Sequence, residues 1–470
     1  MPPVAYSATS KRKPNHARPA TNVARLVRAA LSAASIFALG WTLREATSGA
    51  GAAPAIFAAP SMFSSPPATA KAVVAMLQGD NVEFSAPPGL TLREAEAFAS
   101  NNMGNLVWRH AARRLFDSET TDIIFVNSSN MPWNVPKNCQ LLFLPVANLI
   151  QECAKFALDP SPYSNVLTRW VRDAGVRVAV VGLGLQAPFK LRTIQPPDVF
   201  ARDFQLHEDQ VAFFTQLAAN SSILTVRGAH TQAVAEHNGN SQAAPLGCPT
   251  LFVNHDLALG KSIQEKLEAV VRERNYDIRV AVTLPWLPSR NAKTAKEAMA
   301  ETSKLLRWLT HAVFLKFPNS FVVLQSNGDY GTLEFLRQAA GFRLPAQRLQ
   351  FFYDVPAWIS AMEACDVALH FRIHGMMATI AAGTPSVIIS TDYRVEELAE
   401  VMRLPRADIF HRHFEASDPD MFEFLAALPA PFIGSEFDAN RARIARQYIT
   451  LFQGAGVSMH QGIRRLADGA

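Results

Sequence analysis

A chain of 470 residues exceeds the roughly 100–200 residues of one domain, so two domains with extensions are expected. A hydrophobic content of 49% with 18% charged residues excludes a disordered chain. The net charge of +5 is modest. Much of it lies in Lys11, Arg12, Lys13, Arg18, Arg25 and Arg28, which no acidic residue accompanies, so nucleic acid is not an expected partner.

Those basic residues precede an apolar run from Ala29 to Leu43, closed by Arg44 and Glu45. At about 15 residues it falls short of the about 20 that span a bilayer. It reads as a signal-peptide core or short signal anchor, with an organelle transit peptide also open. Membrane anchoring through residues 22–45 and a secretory, Golgi-type or organellar location follow as expectations. A surface amphipathic helix is the bland reading. Ala46 to Ala70 is rich in Ala, Gly, Ser and Pro, as a linker is, so residues 1–75 stand apart from the fold. Cys139, Cys153, Cys248 and Cys365 match no zinc or redox spacing; they read as buried thiols, and no metal is expected.

From Asp122 onward, short apolar runs alternate with amphipathic ones. Strands are expected at Ile123–Val126, Leu141–Leu144, Val178–Val181 and Ile223–Val226, with helices at Asn165–Ala174, His207–Ala218 and Thr231–His237. After a linker near Glu273–Asp277 the alternation restarts. Strands Ile278–Thr283, Phe321–Gln325, Leu349–Phe352, Val367–Ile373 and Ser386–Ile389 are interleaved with helices Ala292–Phe317, Thr332–Ala340, Ala357–Ala364, Gly375–Ala382 and Val395–Met402. Continuous Val/Ile/Leu/Phe runs, each followed by a helix, predict parallel strands buried on both faces. The fold class is therefore α/β: two Rossmann-like, doubly wound domains facing a cleft, residues 76–272 and 273–430, with a helical extension at 431–470. Ligands in such sheets lie beyond the carboxyl ends of the strands, so the strand-to-helix junctions are the places to search.

The clearest junction runs from Asp366 to Met377. Strand alternation places His370, Arg372 and His374 on one side, and His374-Gly375 opens a helix whose free N–H groups attract anions. Arg372 is a forked donor for carboxylate or phosphate, and His374 titrates near neutrality and carries protons. His370 reads as a buried structural histidine. At a second junction Arg227 leaves a strand, Gly228 permits the turn and Thr231 caps the next helix. A third, Val180-Val-Gly-Leu-Gly-Leu-Gln-Ala187, lacks the immediate helix of a dinucleotide fingerprint, since Pro188 follows. There Gly182 and Gly184 allow close backbone approach and Gln186 offers a polar contact. Asn102 and Asn105, in a Gly/Asn turn before a helix, suit a polar ligand or a capped helix start equally. Arg394 and Glu396, after the strand Ser386–Ile389, suit a structural pair or sugar hydroxyls equally.

Val226-Arg-Gly228 with Thr231, Gly247-Cys-Pro249 with Phe252, and Arg372-Ile-His-Gly375 occur together. Ala382-Gly-Thr-Pro385 and Arg394-Val-Glu-Glu-Leu398 follow in order. With this set, residues Asn101 to Pro405 resemble the polysaccharide pyruvyl transferase family. The resemblance implies two facing Rossmann-like domains, similar to glycosyltransferases of the B type. It implies transfer of a pyruvyl group from phosphoenolpyruvate to two hydroxyls of a glycan acceptor as a ketal, with release of phosphate and no cofactor. It also implies that Arg227, the Ile373 backbone and His374 hold the donor. Two arginines and a helix N-terminus match the two anionic groups of that donor, and His374 fits the acid/base role, with Arg372 beside it. A nucleotide-sugar glycosyltransferase and a catalytically silent carbohydrate-binding relative are the alternatives.

Overall fold

Two parallel sheets account for the alternation of apolar and amphipathic segments. The first contains β1 (Ala72–Gln78), β2 (Thr121–Asn127), β3 (Cys139–Pro145), β4 (Asn148–Gln151), β5 (Arg177–Gln186), β6 (Ile223–Val226) and β7 (Ala244–Pro245). Their order is β2-β1-β3-β5-β6-β7, with β4 paired to β5. The second contains β8 (Val280–Val282), β9 (Phe321–Val323), β10 (Leu349–Gln350), β11 (Val367–His370), β12 (Ser386–Ser390) and β13 (Arg406–Asp408), ordered β10-β9-β8-β11-β12-β13. This computed structural model describes residues 71–78, 89–99, 101–127, 135–136, 138–153, 163–187, 194–220, 222–287, 295–429 and 431–469. The anchoring segment expected at 22–45 lies outside them. Among the described residues no helix is long and apolar enough to cross a membrane.

Strands β3 and β12 are buried at nearly every position, as strands covered on both faces must be. The second sheet has the Rossmann order, whose crevice opens where the chain reverses direction across the sheet, here between β8 and β11. The first has a flavodoxin-like order extended by further strands. Both sheets belong to the unit Pro67–Ala470. The four cysteines are unpaired; three are buried and Cys153 is half-buried.

The two halves are tied together directly. The Met103 N–H donates to the Gln325 carbonyl at 2.7 Å and the Tyr393 N–H to the Ala187 carbonyl at 3.2 Å. Glu397 accepts the Thr231 N–H at 2.9 Å and its hydroxyl at 2.6 Å, capping the helix Ala229–His237 from the opposite half. The helix Gly434–Gln453 runs back to the first half, where Phe452 meets Phe116 and Phe143 with ring centroids 5.5 and 6.1 Å apart. Arg464 then pairs with Asp117 at 2.7 Å.

Three local expectations change. Gly182–Gln186 is the end of β5 rather than a segment beyond the strand end. The pairing with β6 slips between Val180 and Leu183, and Gly182 adopts φ +76°, so the glycine makes an irregularity inside the strand. Strand β11 ends at His370 and the next helix begins at Ile373, so Arg372 and His374 are placed by that transition and not by strand alternation. Gly228, not Thr231, precedes the first turn of the helix Ala229–His237, and Thr231 binds Glu397 instead.

Candidate functional site

A narrow cleft with an enclosed volume of ≈ 50 Å³ opens at the carboxyl ends of both sheets. Asn102, Asn105, Ala147, Asn148 and Arg227 line it from the first half. Trp286, Gln325, Arg372, Ile373, His374, Arg394 and Val395 line it from the second. Arg227 and His374 thus share one cavity.

Arg227 is 1% exposed. It follows β6, and its side chain lies across β5: Nε donates to the Gly182 carbonyl at 3.1 Å and Nη1 to the Asn148 side chain. A Cβ on Gly184 would stand 2.5 Å from the arginine Cδ, so this glycine makes room for the guanidinium and not for a ligand. Nη2 is buried without a hydrogen-bond partner, and among the described residues no carboxylate forms an ion pair with Arg227. Burial holds its pKa below the ordinary guanidinium value. An arginine nevertheless keeps its charge in proteins, so a buried cation with a free donor faces the cleft.

Arg372 is different. Nε donates to the Leu284 carbonyl at 3.2 Å, Nη1 to the Ser326 hydroxyl at 3.2 Å, and Nη2 to Asp329, whose carboxylate is itself buried. Asp329 also accepts the N–H groups of Gln325 and Ser326 at 2.7 and 3.0 Å, and Trp286 stacks 4.4 Å above the guanidinium. The charge expected to clamp a ligand is therefore largely neutralised within the protein. Arg372 braces the cleft wall.

His374 stands on the first turn of the helix Ile373–Ala381, which no side chain caps. Its Nε2 is buried and unpartnered. Burial foremost, then the charges of Arg227 and Arg394, hold its pKa well below 6.5, so it does not titrate near neutrality in the free protein. It is a neutral imidazole, ready to accept a proton. His370 is the structural histidine expected: its Nε2 lies 2.9 Å from the Thr379 hydroxyl, and burial lowers its pKa to about 3.

The remaining candidates divide. Asn102 accepts the Gly104 N–H at 2.9 Å, and Asn105 holds the Ala99 carbonyl and the Trp108 ring N–H at 2.8 and 3.0 Å; both shape the turn while lining the cleft. Arg394 lines it too, paired with Asp392 at 2.9 Å. Glu396 does not face it. Its carboxylate takes the Ser390 hydroxyl at 2.6 Å and Arg406 at 2.8 Å, so it is held structurally, but by Arg406 and not by Arg394 as expected, which pairs with Asp392 instead. Gln186 sits beside Gln151 of β4, outside the lining. Gly375 packs against Gln325 and Thr283, leaving no space for a Cβ.

Asn148, Trp286, Gln325 and Asp329 were not expected. Asn148 and Trp286 carry no local pattern. Ser326-Asn-Gly-Asp329 after a strand was a readable signal, since a short polar side chain there can bind the preceding N–H groups.

Sequence comparison decides the family. Its polysaccharide pyruvyl transferase model matches residues 102–393. The chain belongs to that family. This polysaccharide pyruvyl transferase family member is accordingly a transferase that modifies glycans, built as two facing Rossmann-like domains as the resemblance implied. No curated protein matches it in sequence. Similar solved structures include a glycotransferase of kitacinnamycin, 12% identical, covering 82% of this chain and 98% of that one at a TM-score of 0.34. Others are a putative UDP-N-acetylglucosamine 2-epimerase from Listeria monocytogenes, 10% identical over 82% and 98% at 0.39, and WaaG, a glycosyltransferase of lipopolysaccharide biosynthesis, 11% identical over 85% and 95% at 0.33. Likeness this distant transfers neither ligand nor activity.

Proposed function

We propose that this transferase moves a pyruvyl group from phosphoenolpyruvate to two hydroxyls of a glycan acceptor, forming a cyclic ketal and releasing phosphate. One observation carries the reading. Arg227 Nη2 and His374 Nε2 are buried, unpartnered and set in one cleft beside an uncapped helix start. A buried donor without a partner is costly, and a small dianion bearing carboxylate and phosphate is the kind of guest that satisfies it. The Ile373 backbone adds helix-terminal N–H groups on the same side.

The first sugar hydroxyl adds to the central carbon of the enol ether. Neutral His374 takes its proton and delivers it to the methylene carbon, which becomes the methyl group. The second hydroxyl then displaces phosphate from the same carbon and loses its own proton. Both C–O bonds of the ketal form and one C–O bond to phosphate breaks, with no redox change. The lowered pKa keeps the ring unprotonated in the free protein, and a bound dianion raises it toward the working pH, which gives the ring the basicity to take and hold the proton in transit.

The test supplies the full chain with phosphoenolpyruvate and galactose- and mannose-type acceptors, and follows both phosphate release and the ketal mass. His374→Ala is expected to lower phosphate release by roughly 10²–10⁴-fold. Wild-type release in that variant, or turnover with a nucleotide sugar and none with phosphoenolpyruvate, overturns the reading.

A further inference from the structure

Gln325 follows β9 and is 1% exposed, yet its side chain lines the cleft. Both amide heads, Oε1 and Nε2, lack a hydrogen-bond partner. Its backbone is held on both sides: the carbonyl accepts the Met103 N–H at 2.7 Å, and the N–H donates to Asp329 at 2.7 Å. The amide is wedged between two glycines. A Cβ on Gly104 would lie 2.7 Å from Oε1, and one on Gly375 would lie 2.5 Å from Nε2. A fixed amide with two unused heads is poorly matched to an anion, because its oxygen repels negative charge. It matches a pair of hydroxyls: Nε2 donates to one oxygen, and Oε1 accepts the proton of the other.

Trp286 stands at the mouth of the same cleft, 47% exposed. Arg372 fixes the ring by stacking on it, and a Cβ on Gly328 would come within 3.1 Å of its edge. An anchored indole that keeps open surface is a platform for the apolar face of a pyranose ring.

We infer that Gln325 and Trp286 form the acceptor subsite, Trp286 bearing the sugar ring and Gln325 orienting the two hydroxyls that enter the ketal. This rests on the reaction proposed above. It assigns the anionic donor to Arg227 and His374, on either side of the cleft, and the neutral acceptor to the amide and indole, both from the second half.

The experiment separates the two substrates. Phosphoenolpyruvate binding is measured by calorimetry in the absence of sugar, and acceptor kinetics with methyl galactoside and methyl mannoside as probes. Trp286→Ala and Gln325→Leu are expected to keep donor affinity within about twofold and to lower kcat/KM for the acceptor roughly tenfold or more, with Trp286→Phe recovering most of it. Gln325→Leu is also expected to melt no lower than wild type, since it removes two unpartnered buried atoms; a structural glutamine would give a lower Tm. Unchanged acceptor kinetics, or an equal loss of donor affinity, overturns the assignment.

If wild-type protein binds no phosphoenolpyruvate, the proposed reaction fails, and the subsite is still decided by saturation-transfer NMR with the same two glycosides. Signal in the wild type that disappears in Trp286→Ala supports it. Equal signal in both, or none in the wild type, refutes it.

Discussion

Two buried arginines face one cleft from opposite halves of the molecule, and they do different things. Arg372 stands against the Asp329 carboxylate, with the Ser326 hydroxyl and the Leu284 carbonyl taking further donors. Arg227 has only neutral acceptors, Gly182 and Asn148, and one nitrogen with none. A paired buried ion is a strut; an unpaired one retains its demand for an anion. Two arginines that end strands in similar ways are therefore separated by their neighbours, one holding the wall and the other presenting charge to a guest.

The comparison is broken most sharply at Arg227. Arg227→Met is expected to lower phosphate release roughly 10²–10³-fold, as loss of a preorganised donor does, with no loss of thermal stability because an unpaired buried cation has gone. Normal turnover, or a collapsed fold, contradicts the contrast. Asp329→Asn is the counterpart in the other half. It strands the Arg372 charge and is expected to lower unfolding free energy by about 3–5 kcal/mol in urea titrations. A change below about 1 kcal/mol would show that the pair is not a strut.

A smaller effect sharpens the view of Arg227. Glu397 is the buried carboxyl whose charge it feels, and burial pushes that carboxyl up to about 7 from an ordinary 4.5; the Thr231 hydrogen bonds and Arg227 oppose the rise, and Asp392 adds to it. The folded state then keeps a proton that the unfolded chain releases near 4.5. This contribution to stability is greatest below pH 4.5 and is lost as pH rises through about 7. Glu397→Gln is expected to melt above wild type at pH 8 and to converge with it at pH 5. Parallel melting curves at both values would place the carboxyl in its ordinary range and give Arg227 a counter-ion.

The architecture was legible because buried parallel strands leave unbroken apolar runs, as in Leu141–Leu144 and Ser386–Ile389. Strand β1 was not anticipated, although Ala72-Val-Val-Ala-Met-Leu-Gln78 is such a run, because it directly follows an Ala-rich linker of similar composition. Strands β7 and β13 are too short, at 2 and 3 residues, to leave a periodic signal. At the site, Arg227 and His374 were legible as strand-to-helix junctions, whereas Ile373 came only from the family resemblance. The pairing of Glu396 with Arg394 was misread because Arg406, its actual partner, comes from a strand that had not been anticipated. The lowered pKa of His374 depends on burial and on Arg227 across the cleft, neither of which sequence spacing encodes.

The most direct measurement is a crystal structure of the protein soaked with phosphoenolpyruvate. The account predicts one donor molecule in the cleft, within hydrogen-bond reach of both Arg227 Nη2 and His374 Nε2, with Arg372 still bound to Asp329. A donor molecule lodged elsewhere, or one held by Arg372 after it has left Asp329 while Arg227 stays unliganded, would contradict it.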